Sequence, residues 1–236
     1  MPQPHILLAV DAVVLGYNPG RECSVLLIRR KYPPFQGQWA LPGGFVEEGE
    51  SIEVAVEREL AEETGVHIHY LEQLFTFGNP DRDPRRRVVS IAYFALVKPS
   101  AFQVQAASDA SEAAWFSIKH LPPLAFDHAD ILDKGLERVR NKITYEPIGF
   151  ELLEEKFTFV ELQHLYETLL DRKIDRRNFQ KKLLSLGILE ELEEHRKHQG
   201  SGRPAKLYRF NPEQYAREKE KVIMYEIWNM KDKEEQ

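Results

Sequence analysis

The segment GGFVEEGESIEVAVERELAEETGV, residues 43–66, places three carboxylates where a helix should carry core side chains. Gly49 precedes the periodic part, and Ser51 or Glu50 stands where a helix cap is needed. Ile52, Ala55 and Val56 define a buried stripe. With the α-helical turn of about 100° per residue, Glu59 falls about 20° to one side of Ile52 and Glu63 about 20° to the other. Glu62 sits one step round the same face. A solvated acidic face would lie opposite the apolar stripe, whereas these carboxylates continue it. Like charges at i, i+4 cost a few tenths of a kcal/mol in an isolated helix, and more when partly desolvated. A divalent cation removes both penalties. Clustered hard oxygen ligands with room for water and phosphate suit Mg2+ better than Zn2+. Arg58 reaches Glu62 at i+4 and is expected to orient the carboxylates rather than to react.

Composition narrows the setting. The 236 residues suit one large domain or two modest ones, and 42% apolar with 30% charged residues exclude a disordered or fibrous chain. A net charge of −6, from 32 basic against 38 acidic residues, argues against a wholesale polycation, though not against a local basic surface. The single cysteine, Cys23, permits no intramolecular disulfide and matches a reducing compartment. The closest histidine sets, His67/His69 and His195/His198, lack the Cys or acidic partners of a zinc site. The early apolar run from His5 to Gly16 is interrupted by Asp11 and follows MPQP, without Lys or Arg, so it reads as a buried strand and not as a signal peptide. The expected protein is cytoplasmic and has no membrane partner.

The chain is written in two grammars. Ile6–Leu15, Cys23–Arg30, Leu71–Phe77 and Val88–Val97 read as strands around the acidic helix. Helical spacing from Asp127 to about Lys142 predicts a linker helix over 127–142, ended near Pro147. Further on, Thr158 to Glu161 has the form of a capping box, followed by an apolar stripe of Leu162, Leu165, Tyr166 and Leu169. Asp175 caps a second helix carrying Phe179, Leu183 and Leu186, stopped by Gly187. Ile188–Glu194 and Ala205–Phe210 read as a hairpin with a polar tip, and Asn211-Pro212 opens a terminal helix. Helix, turn, helix, hairpin is the order of a winged helix. Two domains follow, at 1–145 and 146–236.

Gly44, Glu50, Arg58, Glu59, Leu60, Glu62, Glu63, Gly65 and Val66 fill every position of the pattern G-x5-E-x7-R-E-U-x-E-E-x-G-U. In this the chain resembles the Nudix hydrolases. The resemblance implies an α/β/α sandwich and a loop–helix–loop holding Mg2+ or Mn2+, with hydrolysis of a diphosphate linked to another moiety. It makes Glu59, Glu62 and Glu63 the metal ligands and gives Gly44 a role in shaping the loop. The acceptor of the attacking water's proton stays open between the box itself and the loop carrying Asp109 and Glu112. Arg29 and Arg30, ending a strand just before the box, are candidates to bind the diphosphate. Pro80, fifteen residues after Gly65, and the surrounding FGNPDRDPR resemble the ADP-ribose pyrophosphatases within that family. ADP-ribose is the expected ligand, with Trp39, Phe77 and Trp115 as aromatic candidates to stack on adenine.

The second half carries its own signal. Asp171 to Lys182 holds six basic and two acidic residues, and His195 to Asn211 holds five Arg or Lys and no acid. On the second C-terminal helix Arg177, Asn178, Lys181 and Ser185 lie opposite Phe179, Leu183 and Leu186. Arg and Asn are suited to base edges in the major groove, and wing Lys and Arg to phosphates. With Asp175-Arg176-Arg177-Asn178-Phe179 and Gly202-Arg203-Pro204-Ala205-Lys206, the chain resembles the NrtR family. That resemblance implies a dimeric regulator of NAD and sugar metabolism, in which a Nudix-like domain senses ADP-ribose and a winged helix binds operator DNA. Arg176, Arg177, Asn178, Lys181, Arg203 and Lys206 are then the expected DNA contacts. Several such regulators have a degraded box and bind the ligand without hydrolysing it. The box here is intact, so a regulator that also destroys its signal is expected. The alternative is a hydrolase alone, whose C-terminal half serves dimerisation.

Overall fold

The computed structural model describes residues 5–17, 22–68, 71–102, 104, 110–146, 148–196 and 204–223. It divides into two compact units, residues 1–138 and 139–236.

The first unit is built on a seven-stranded mixed sheet. Its strands are β1 (Leu7–Gly16), β2 (Ser24–Arg30), β3 (Trp39–Ala40), β4 (Gly43–Phe45), β5 (Glu72–Phe77), β6 (Val88–Val97) and β7 (Ala110–Ser117). The order is β3-β2-β1-β6-β5, with β4 also pairing β1 and β7 pairing β2. β1 and β6 run parallel from Leu7↔Val88 to Gly16↔Val97. Such a central pair is covered on both faces, which is why Ala9 to Gly16 is buried throughout instead of alternating. Asp11 is the one charge in that run.

Alternate residues of β1 serve opposite faces. Val10, Ala12 and Val14 join Ala55, Val56 and Leu60 of helix α1 (Ile52–Thr64) in one core. On the other face Val13 meets Gly135 of helix α2 (His128–Lys142) so closely that a Cβ there would lie 2.9 Å from Val13 Cγ1. Helix, sheet and helix make the α/β/α sandwich. The chain crosses from the first unit to the second within α2.

Ser51 caps α1, its hydroxyl accepting from Val54 N, and Gly65 ends it in the left-handed conformation at φ 70°. The four strands read from the sequence are present. β3 and β4 escape that reading because they are two and three residues long, with glycines in β4. β7 corrects the assignment of Glu112 to a loop. Residues 110–117 pair with β2 from Ser24↔Ser117 to Arg30↔Ala110, and Glu112 faces Arg29 across that ladder. The ladder makes this alanine-rich stretch a strand, a long-range effect that local pattern does not carry. Asp109 lies outside the described residues.

The second unit contains β8 (Phe157–Thr158), α3 (Phe159–Leu170), α4 (Arg176–Ser185), β9 (Leu189–Arg196), β10 (Ala205–Phe210) and α5 (Pro212–Ile223), with sheet order β8-β10-β9. The Thr158–Glu161 capping box forms in both directions. Asp175 caps α4 through Asn178 N at 2.8 Å, Gly187 ends the turn at φ 68°, and Asn211 caps α5 through Gln214 N at 2.9 Å. Leu162, Leu165, Tyr166, Leu169, Phe179 and Leu183 are buried as a core, with Phe179 set at 4.9 Å from Tyr166 and 5.4 Å from Phe159. This is a winged helix. None of the described helices is long and apolar enough to cross a membrane.

Tyr166 is fully buried, yet its hydroxyl has no hydrogen-bond partner among the described residues. An unpaired buried hydroxyl costs about 1–3 kcal/mol. Tyr166→Phe removes that cost without altering the packed ring, so the variant is expected to raise the urea midpoint. A midpoint below the parent's would show that the hydroxyl is paired in solution.

Candidate active site and nucleic-acid face

The acidic helix lies against the glycine strand. Glu63 is buried on α1 and accepts a hydrogen bond from Gly43 N at 2.8 Å. Burial, with Glu59 and Asp11 nearby, pushes its carboxyl up to about 8. Glu59 is raised as well, chiefly by burial. A Cβ on Gly44 would stand 2.2 Å from Glu59 Oε1, so only glycine leaves room for that carboxylate.

Arg58 is the internal cation of this loop–helix–loop. It donates to both oxygens of Glu50 at 3.1 and 2.7 Å, to Glu59 at 2.9 Å, to Glu62 at 3.4 Å and to the Phe45 carbonyl at 3.1 Å. Its pKa is raised, first by the bond to Glu50, and the Glu50 carboxyl is lowered in return. Glu62 is half-exposed on this cluster. Among the described residues no three carboxylate, imidazole or thiol groups already form a metal cage. The donor set is nonetheless right for Mg2+ or Mn2+. Hard carboxylate oxygens line a cavity, and burial disfavours the charged forms of Glu59 and Glu63, a cost that a divalent cation would offset.

That cavity, about 340 Å3, is lined by Asp11, Gly43, Gly44, Glu47, Glu59 and Glu63 together with Arg30, Lys31, Arg82 and Arg85. Its aromatic walls are Tyr32, Phe45, Phe126 and His128. Trp39, Phe77 and Trp115, the aromatics singled out in the sequence, do not line it; Trp39 packs edge-on to Phe116 at 4.5 Å. Arg30 reaches the cavity, donating to the Pro34 carbonyl at 2.9 Å and lying 4.8 Å from the Phe126 ring. Arg29 lies outside the lining, bonded to the Gly37 carbonyl at 2.9 Å and 3.7 Å from Glu112. Phe126 adopts φ 53°, unusual for an aromatic residue, and is held there by Phe35 at 4.8 Å and by Arg30.

A buried polar network adjoins the cavity and was not anticipated. Asp11 accepts from Ser90 Oγ at 2.5 Å and lies 3.4 Å from Arg82 Nη2 and 3.5 Å from His128 Nε2. His128 Nδ1 accepts from Leu41 N at 2.9 Å, so the ring proton sits on Nε2, towards Asp11. Burial lowers the His128 pKa and keeps the ring neutral at neutral pH. Arg82 grips Asp127 through Nε and Nη2 at 2.9 and 2.7 Å. The sequence signal available was the isolated Asp11 within an apolar strand, which requires a buried partner.

In the second unit Arg176, Arg177, Asn178, Lys181 and Ser185 are exposed on α4 while Phe179 and Leu183 are buried. The wing differs from the helix. Lys206 is ion-paired to Glu191 and Arg209 to Glu190 across the β9–β10 ladder, and Lys156 to Glu194. Arg203 lies outside the described residues.

Residues 7–135 match the NUDIX domain and residues 149–210 the NrtR DNA-binding winged helix domain. Fold and site together define a Nudix protein that carries a winged helix. The chain is 35% identical over 216 residues to the ADPR responsive transcriptional repressor NtrR of Acinetobacter baylyi, across 90% of this chain and 85% of that protein. It therefore belongs to the NrtR family. A crystal structure of Shewanella oneidensis NrtR complexed with a 27mer DNA superposes with a TM-score of 0.75 at 38% identity, covering 89% of this chain and 95% of that one. The NUDIX domain of the same protein, in a cocrystal structure with ADP ribose, gives 0.53 at 41% identity over 57% of this chain and 88% of that one. The ADP-ribose pyrophosphatase of Methanocaldococcus jannaschii is 44% identical over 128 residues, 54% of this chain and 72% of that protein.

Gly44→Ala tests the close approach of strand and helix. The methyl group must displace Glu59, so any metal-dependent hydrolysis by the parent protein is expected to fall at least about 100-fold, on the scale of a misplaced catalytic group. Turnover within threefold of the parent would show that the Glu59 carboxylate is not needed where the structure puts it.

Proposed function

We propose that this protein is an ADP-ribose-responsive, DNA-binding transcriptional repressor whose Nudix domain also hydrolyses ADP-ribose, or a related nucleoside diphosphate derivative, to AMP and a sugar phosphate. The observation that carries the reading is a single chain holding both a cavity with a buried carboxylate pair beside arginines and a helix that exposes Arg176, Arg177 and Lys181 on one face. The repressor half is supported by the relatives that respond to ADP-ribose and bind DNA. The hydrolase half is supported by the complete box and by the pyrophosphatase relative.

Glu59, Glu62 and Glu63 would hold Mg2+ or Mn2+. When bound, that cation neutralises diphosphate charge and acidifies a water. Arg58 fixes the orientation of Glu59 and Glu62. Arg30 and Lys31 present positive charge to the phosphates, and Phe45 and Phe126 offer flat apolar walls for a base. Glu112 is paired with Arg29 outside the cavity lining, which leaves the box carboxylates as the better proton acceptors. On α4, Arg176, Arg177, Asn178 and Lys181 would enter the major groove, while Arg203 and Lys206 of the wing would grip phosphates. A homodimer would match the two-fold symmetry of operators.

AMP release from ADP-ribose is expected with Mg2+ and not with EDTA. Glu63→Gln, which retains an acceptor for Gly43 N, should abolish release at unchanged stability; full activity in that variant would refute its role as a metal ligand. Arg177→Ala combined with Lys181→Ala should weaken binding to the best duplex selected from a random pool more than about tenfold. The slope of log affinity against log salt should fall by up to about two. Unchanged affinity would remove α4 from the DNA contact, and AMP release should be the same as in the parent.

A further inference from the structure

Helix α2 crosses the division of the chain, and each of its ends is held by contacts made inside one unit. At the first end Asp127, whose carbonyl accepts from Ile131 N at 3.1 Å, is gripped by Arg82 through Nε and Nη2 at 2.9 and 2.7 Å. The next residue, His128, accepts from Leu41 N on one side of its ring and faces Asp11 on the other. Arg82, His128, Leu41 and Asp11 all line the cavity. The start of α2 is therefore built into the cavity wall, through residues that the box chemistry does not use.

Farther along, Gly135 lies against Val13 of β1. Arg138 donates to the Leu74 carbonyl at 2.9 Å, where β5 steps out of register with β6. From Val139 onward the helix belongs to the second unit. There Lys142 pairs with Glu146 at 3.3 Å. Both act on Tyr215 of α5, whose pKa is raised first by burial and then by Glu146, against the opposing pull of Lys142. Tyr215 acts in turn on Tyr166 of α3, the buried ring whose hydroxyl is unpaired among the described residues. The far end of α2 thus stands beside the helices that frame the winged-helix core.

An α-helix of this length spans about 22 Å. No proline interrupts α2, so a displacement imposed at one end is carried to the other. The Arg82–Asp127 pair is largely buried, where charges act on one another more strongly than in water. A diphosphate in the cavity attracts the guanidinium that holds Asp127, and a divalent cation among the glutamates repels it. Charge entering the cavity therefore alters the hold on α2.

We propose that α2 is the element through which a ligand in the Nudix cavity alters DNA affinity, with Asp127, held by Arg82, as the positioning residue at its start. This rests on the ADP-ribose-responsive reading given above. The quantity to measure is a coupling factor, the ratio of the DNA dissociation constants with and without saturating ADP-ribose, written as a number above one. It is read by fluorescence anisotropy on the full chain and the best selected duplex, with Ca2+ in place of Mg2+ and again in EDTA. Asp127→Asn keeps the shape of the contact and removes its charge. Glu137→Gly combined with Arg140→Gly changes two exposed positions, one on each side of the division, and loosens the helix away from the cavity.

Each variant is expected to bring the factor down to the square root of the parent's or lower. A merely structural role would weaken both DNA measurements alike and leave their ratio unmoved. A factor above the square root in the glycine pair overturns the role of α2, and the same result in Asp127→Asn overturns its positioning contact. If Asp127→Asn does not fold, the glycine pair decides alone. A parent protein whose DNA affinity does not change with ADP-ribose removes the responsive reading, and this inference falls with it. A responsive parent with two equally responsive variants overturns the inference while that reading stands.

Discussion

Glutamates packed at the end of a helix against a strand need opposing charge, and in this protein Arg58 supplies part of it. One guanidinium holds Glu50 from the preceding loop, Glu59 and Glu62 from the helix, and the carbonyl of Phe45 from the strand. Loop, helix and strand are thereby fixed around one charge, and the remaining carboxylate, Glu63, is pushed under the strand against Gly43. Removing the strand's side chains is the other half of the same solution. The absence of a Cβ at Gly44 lets Glu59 close on the backbone.

The cavity's charges are partly paired within its wall, Arg85 with Asp83 at 2.7 Å and Arg82 with Asp11 and Asp127. Carboxylates and glycine backbone occupy one part of the wall, Arg30 and Lys31 supply positive charge, and Arg82 is tied into its own neutralising pair of aspartates. The left-handed conformation of Phe126 is part of this arrangement, since it aims the ring between Arg30 and the cavity. Backbone strain at a binding wall is expected where packing from several sides fixes the residue.

What the sequence made legible were features whose cause is local. The caps at Ser51, Thr158 and Asp175, the apolar stripes of α1 and α3, and the central strands all follow from patterns within a dozen residues. The box is legible for the same reason, because its residues lie on one helix and its flanks. The features that stayed hidden are those whose partners are remote. Arg82 finds Asp127 forty-five residues away and Asp11 seventy-one away. β7 is a strand because β2 pairs with it, not because of its own alanine-rich sequence. Phe126 lines the cavity through a backbone angle that composition does not announce, whereas the tryptophans chosen for their size are packed elsewhere.

The second domain gives the sharper lesson about charge. Counted along the chain, the hairpin from His195 to Asn211 is basic without any acid. In the folded sheet its neighbour is β9, whose Glu190 and Glu191 pair with Arg209 and Lys206, while Glu194 takes Lys156. A run of positive charge in the sequence is therefore largely cancelled in space along the described part of the wing. On α4, Arg176, Arg177 and Lys181 have no such ion pair among the described residues. They project from a face whose opposite side is buried through Phe179 and Leu183, and the Asp175 carboxylate accepts from the Asn178 backbone N–H. An exposed ion pair is worth little and exchanges readily for a phosphate partner. Lys206 would meet a phosphate at the cost of its pair with Glu191, whereas Arg176, Arg177 and Lys181 have no such competitor among the described residues. Affinity for a polyanion should accordingly be concentrated on the helix, with the wing adding less than its count of basic residues implies.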